Sequence, residues 1–234
     1  MTTNLHEKRF IEGVLGNLRL FAEAMPSQVA ALALHSWAVP ARRGDLLARR
    51  AERLPGLFIV AYGLAKLTMR GRENGEHVLR LVGPGQTFGE ATALLGRASR
   101  YDALALTDTK AVVIPSPSLV ALMDADARFG RAFAHLLAER KLEMQGEVEA
   151  ATLHRGEQRL AGYLASLAAG AQRAELPVSK TLVAAQLGMK KETLSRLLRQ
   201  LAAERVINMA RREILILDAA ALDRMASTAT GGAA

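Results

Sequence analysis

Hydrophobic positions recur with more than one period along this chain, and each stretch predicts a different kind of element. From about Leu18 to Leu34 the spacing is helical, broken at Pro26. Between about Gly44 and Pro115 the apolar runs shorten to LFIV, AKLTM, HVLRLV and KAVVI. Gly44, Gly56, Gly63, Gly71, Gly75, Gly83, Gly85, Gly89 and Gly96 fall between them. Short strands with frequent turn signals predict a compact antiparallel barrel or sandwich, with Asn74-Gly75 as a hairpin turn and no helix between about Gly44 and Pro115. After Pro115-Ser116-Pro117 the period lengthens again. Phe133, Leu137, Met144 and Val148 form a narrow stripe on a helix of roughly 25 residues or more that runs to about His154. A stripe so narrow on a helix so long predicts pairing with a second copy of the chain, although Arg140 interrupts it.

A further helix, about Glu157 to Ala169, follows a break at Arg155-Gly156. ELPVS reads as a short strand, Ser179 as the cap of a helix through SKTLVAAQL, and Gly188-Met189 as a turn. The next stretch, GMKKETLSRLLRQL, is a helix with two faces. Leu194, Leu197, Leu198 and Leu201 share one; Glu192, Ser195, Arg196 and Arg199 stack at i, i+3, i+4 and i+7 on the other. VINMARREILILD then reads as two strands joined through Ala210-Arg211-Arg212. Alone, the charged face would pass for solvated surface. Placed after a glycine-containing turn and before a hairpin, it is the second helix of a winged helix-turn-helix.

That placement gives the charged residues work to do. Arg196 has the planar fork that matches guanine O6 and N7, and Glu192 can accept from cytosine N4 or adenine N6. Ser195 can meet a base or a phosphate. Arg199, Lys190 and Lys191 suit phosphates, as do Ser179 and Thr181 at the start of the first helix, and Thr193 belongs to the same DNA-facing set. Charge agrees. The chain carries a formal +8, and from Gln186 to Arg212 seven basic residues face two acidic ones.

The expected organisation is therefore α+β, in three parts: residues 1–116 as a sensor β-barrel with flanking helices, 117–154 as a long dimerisation helix, and 155–234 as the winged helix-turn-helix. The 234 residues include no cysteine, which excludes a disulfide and a cysteine-ligated iron–sulfur cluster. No apolar run approaches the ~18 residues of a membrane span and no signal-peptide core is present, so a cytoplasmic protein with no membrane partner is expected.

From about Phe21 to Met225 the chain resembles the Crp–Fnr superfamily of bacterial transcription regulators. FGEATALL (88–95) and VSKTLVAAQLGMKKETLSRLLRQLAAERVI (178–207) carry the resemblance. The E-x-x-S-R pattern of Glu192, Ser195 and Arg196 is similar to the Fnr-type recognition helix, which implies TTGAT half-sites in an inverted repeat. FGEA, PSPSLVALM and REILILD look closest to the branch responding to nitrogen oxides, the Dnr or Nnr regulators. The resemblance also implies an effector site. Gly89-Glu90 matches the pair that holds a cyclic nucleotide's ribose. The phosphate arginine falls on Arg100 in one register and on Tyr101 in the other, with Asp102 beside either. The positions that usually offer hydroxyls to the purine are Met144 and Gln145. Cyclic AMP thus loses contacts, and the effector stays open between haem and another small apolar molecule. Candidate haem ligands are His6, His35, His77, His135 and His154.

The function expected is a homodimeric, sequence-specific DNA-binding regulator that couples a small-molecule signal to promoter binding. RNA polymerase is a further partner if the protein activates. The alternative is a cyclic-nucleotide-binding regulatory protein acting on an enzyme or protein partner instead of DNA. The glycine-rich GPGQTFG lacks the phosphate-loop spacing, and neither HExxH nor GxSxG occurs. An enzyme is not expected.

Overall fold

The computed structural model describes residues 5–70 and 76–227, which divide into two compact units, Met1–Lys141 and Leu142–Ala234. The first is organised around two central strands, β3 (Gly56–Tyr62) and β8 (Thr109–Pro115). Successive side chains of a strand point to opposite faces, so a run such as Leu57-Phe58-Ile59-Val60 needs cover on both sides. Leu57 and Ile59 with Val112 and Ile114 pack under helices; Phe58 and Val60 with Ala111 and Val113 pack between sheets.

The remaining strands are β1 (Trp37–Ala41), β2 (Leu46–Ala48), β4 (Ala65–Arg70), β5 (Glu76–Val82), β6 (Thr87–Phe88) and β7 (Asp102–Ala105). They form two antiparallel four-stranded sheets, β1-β8-β3-β6 and β2-β7-β4-β5. The expected antiparallel β domain is present as a jelly-roll-like sandwich, left open because β2 and β6 span only three and two residues and the ladders do not continue from one sheet to the other. The β4–β5 pair flanks Asn74-Gly75, but that turn lies outside the described residues. The edge strand β1 contains Pro40, and Glu7 accepts from the Ala38 N–H at 2.9 Å, which blunts the edge.

Helices α1 (Leu5–Gly16), α2 (Pro26–His35), α3 (Glu90–Leu95) and α4 (Ser116–Ala125), with a 3-10 turn at Arg19–Phe21, accompany the first sheet. Pro26 opens α2 where the sequence pattern suggested a break; its missing N–H costs nothing at a first helical position. Helix α3 overturns the expectation of no helix between about Gly44 and Pro115. The long helix α5 (Ala127–Leu153) is preceded by Asp126, which separates it from α4. Asp126 accepts from the Arg128 N–H at 2.9 Å and holds the Arg128 guanidinium and the Gln28 amide.

The expected partner-facing stripe of α5 is only partly available. Phe133 is fully buried beside Phe129 in the core of its own unit, and Leu137 packs against that core. Phe133 has no surface left for a partner and is removed from the seam, while Leu137 keeps part of its own. Met144 and Val148, at 55% and 61% exposure, remain.

The second unit contains α6 (Gly156–Ala168), β9 (Arg173–Glu175), α7 (Lys180–Gln186), α8 (Lys191–Ala203), β10 (Ile207–Ala210), β11 (Glu213–Ile216) and α9 (Ala219–Ser227). Its sheet runs β10-β11-β9. The strand expected at ELPVS ends at Glu175, since Pro177 has no N–H to continue a ladder.

Hydrogen bonds from Arg128 and Gln28 hold the Asp126 carboxyl down at about 2, below its ordinary value near 3.9. A depressed carboxyl stabilises the fold above its unfolded pKa and loses that contribution as pH falls toward the folded one. The melting-temperature gap between wild type and Asp126→Ala, followed by fluorescence of Trp37, should therefore be full above about pH 5 and narrow toward pH 2. A gap independent of pH would show that the carboxylate charge contributes nothing.

Candidate nucleic-acid interface and effector corner

Helix α8 exists because its leucines have somewhere to go. Leu194, Leu197, Leu198 and Leu201 are all buried, worth roughly 1.5–3 kcal/mol each as an upper estimate. Burying that face turns the other one outward. Lys190, Lys191, Glu192, Arg196 and Arg199 are exposed, and Thr193 and Ser195 half-exposed. The Arg199 Nε donates to the Ser195 carbonyl at 3.2 Å, which lays that side chain along the helix. Gln200 donates to Glu157 at 3.2 Å and to Glu204 at 3.1 Å, fixing the far end of α8.

The approach to α8 is equally constrained. Ser179 caps α7 by accepting from the Leu182 N–H at 3.4 Å, and both Ser179 and Thr181 are exposed. The turn passes through Gly188 at φ +60°, a left-handed conformation suited to glycine. Arg159 ties this turn to α6, donating to the Leu187 carbonyl at 2.9 Å and the His154 carbonyl at 2.7 Å. In the hairpin β10–β11, Arg212 donates to the Leu176 carbonyl at 2.7 Å, so it serves the fold. Its neighbour Arg211 is exposed at the tip with φ 57°. Arg211 was missed as a candidate, although the sequence already placed it in the link Ala210-Arg211-Arg212 between paired strands.

In the first unit, Gly89 adopts φ +89°, and a Cβ there would sit 3.1 Å from the Gly56 carbonyl oxygen and 3.3 Å from Leu54 Cδ1. Next to it, the Glu90 carboxylate accepts from the Thr87 hydroxyl, and Arg80 donates to the Thr87 carbonyl. The two registers for the phosphate residue now separate. Tyr101 reaches the corner, its hydroxyl accepting from the Gly89 N–H at 2.9 Å. Arg100 is exposed in the preceding loop, and Asp102 accepts from the Arg50 N–H at 2.8 Å. Arg80 was missed, because nothing in HVLRLV distinguishes it from an outward-facing strand residue. Met144 and Gln145 are exposed positions of α5.

Comparison with known proteins places both halves. Residues 38–126 match the model of the cyclic nucleotide-binding domain, and residues 158–225 that of the Crp-like helix-turn-helix domain. The transcriptional regulator LdrP of Thermus thermophilus is 31% identical over 197 residues, 80% of this chain and 95% of that protein. The chain belongs to the Crp–Fnr family of transcription regulators. The cyclic AMP receptor protein of Thermus thermophilus is 28% identical over 170 residues, 73% of this chain and 79% of that protein. FixK2 from Bradyrhizobium japonicum shares the fold, with a TM-score of 0.74 at 19% identity over 83% of this chain and 98% of its own.

As a Crp–Fnr regulator the chain is not an enzyme, and its helix-turn-helix is a DNA-binding domain. Among the described residues no helix is long and apolar enough to cross a membrane. Haem does not fit the histidines as they stand. His6, His35, His77 and His135 are exposed and His154 is half-buried, so none is sunk in a cavity as an axial ligand would be.

Gly89 gives the corner a direct test. Gly89→Ala combines a disfavoured φ with contact against the Gly56 backbone, and should destabilise the domain by about 1–3 kcal/mol. Urea unfolding followed at Trp37, the single tryptophan, measures it. An unchanged midpoint would contradict the left-handed geometry.

Proposed function

We propose that the protein is a homodimeric, sequence-specific transcription regulator in which Arg196, Glu192 and Ser195 read base edges while Lys190, Lys191, Arg199, Ser179, Thr181 and Thr193 approach the DNA backbone and flanking positions. The observation that carries this reading is the division of α8 into a buried leucine face and an exposed face bearing Glu192, Arg196 and Arg199. The E-x-x-S-R pattern supports TTGAT-type half-sites in inverted repeat. FGEA, PSPSLVALM and REILILD support the narrower assignment to the branch responding to nitrogen oxides. RNA polymerase is a partner if the protein activates transcription.

The first domain acts as the sensor. Likeness to a cyclic AMP receptor protein favours a nucleotide effector. Against it stand the exposed Arg100 and the neutral Tyr101 at the Gly89 corner. The reading adopted is a small-molecule effector other than tightly bound cyclic AMP. A module acting on a protein partner alone gains no support from a helix built in this way.

Fluorescence anisotropy on duplexes carrying a TTGAT inverted repeat tests the assignment of roles. Arg196→Ala should cost about 1–3 kcal/mol on the specific site and relax preference at one G·C pair of each half-site. Arg199→Ala should weaken all sequences alike and lower the salt slope. Unchanged sequence preference in Arg196→Ala would remove α8 as the reading helix.

Assembly has its own test. With Phe133 in the core and Leu137 half-buried against it, Met144 and Val148, one turn apart, are the exposed apolar positions of the stripe. Val148→Glu should give monomers by sedimentation and lose specific DNA binding, since two half-sites need two recognition helices. A dimer that survives Val148→Glu would move the seam elsewhere.

A further inference from the structure

The corner at Gly89 is closed by the chain's own groups. The Gly89 N–H is taken by the Tyr101 hydroxyl, the Glu90 carboxylate by the Thr87 hydroxyl, and Arg80 is drawn to the Thr87 carbonyl. An incoming ligand that needs the Gly89 N–H finds it already matched. Burial, and after it the Glu90 charge, push the Tyr101 phenol up to about 12, so the hydroxyl stays neutral at physiological pH.

We infer that Tyr101 is a built-in plug of the effector corner: it holds the Gly89 N–H and sets the corner's selectivity against anionic ligands. The inference rests on the reading of this domain as a sensor that does not hold cyclic AMP tightly, and it names the residue responsible. A phosphate approaching Gly89 has to break the N–H···O bond and displace a ring packed among apolar neighbours. An arginine at 101 would reverse the situation. It brings no competing hydroxyl, and its guanidinium can pair with Glu90 while still offering a fork to a phosphate.

Calorimetry with cyclic AMP on the full chain, its Tyr101→Arg variant and its Tyr101→Ala variant tests the plug. The wild type should bind no more tightly than about 1 mM. Tyr101→Arg should gain at least tenfold, and Tyr101→Ala a smaller amount by freeing the N–H and the space. Variants that keep their urea midpoint yet bind no better than wild type overturn the plug and leave the sensor reading standing. Micromolar affinity in the wild type overturns both. Should the arginine variant fail to fold, Tyr101→Phe supplies an independent measurement. With the ring kept and the hydroxyl gone, the Gly89 amide proton should move to higher field in the nitrogen-correlated spectrum. A Gly89 amide that does not move means the hydrogen bond is absent, and the plug with it.

Discussion

Two strands that are apolar on both faces govern the first half of this molecule. β3 and β8 cannot stand at a surface, because Leu57, Ile59, Val112 and Ile114 would then be exposed along with the sheet they belong to. A second sheet covers one face. The other needs helices, and Ile11, Leu15, Phe21, Leu32, Leu119, Phe129 and Phe133 supply that layer. The start of α5 is therefore a core element of the sandwich unit before it can be anything else. That requirement explains the cap at Asp126: α5 has to begin at a fixed place beside α2, and the Gln28 amide and the Arg128 N–H hold it there.

The same packing shapes the effector corner. Gly89 passes close to the Gly56 carbonyl at the start of β3, so the strand that organises the core also fixes the turn that presents Glu90. Glycine is required there twice over, for its φ and for the approach. On that base, the selectivity proposed for the corner falls to side chains, and Tyr101 is the one that reaches the Gly89 N–H.

Much of this was readable from the sequence, and the failures share a cause. Runs such as LFIV and KAVVI locate the central strands, and the leucine spacing of α8 locates its buried face. Period, however, reports that a face is buried without reporting against what. Phe133 has the right spacing for a dimer seam and is consumed by the core of its own unit. Helix α3 was invisible because six residues between Gly89 and Gly96, both left-handed, look like consecutive turns. Barrel and sandwich differ only in whether the ladders close, and strand-length patterns are silent on that point.

Charge shows the same limit and also its resolution. The basic excess of residues 186–212 pointed to a polyanion, but the count treats every arginine alike. Arg212 is committed to the Leu176 carbonyl and contributes to folding the wing. Arg199 bonds its own helix through Nε, which leaves its terminal nitrogens free to meet a phosphate lying along the groove wall. Arg196 carries no hydrogen bond or ion pair to the rest of the described chain, and lies exposed one turn from Glu192. An arginine with no internal tether loses nothing of the folded state when it turns its full fork toward a base edge, whereas a tethered one must first break a bond. The division of labour proposed for Arg196 and Arg199 accords with which of them the fold has already used.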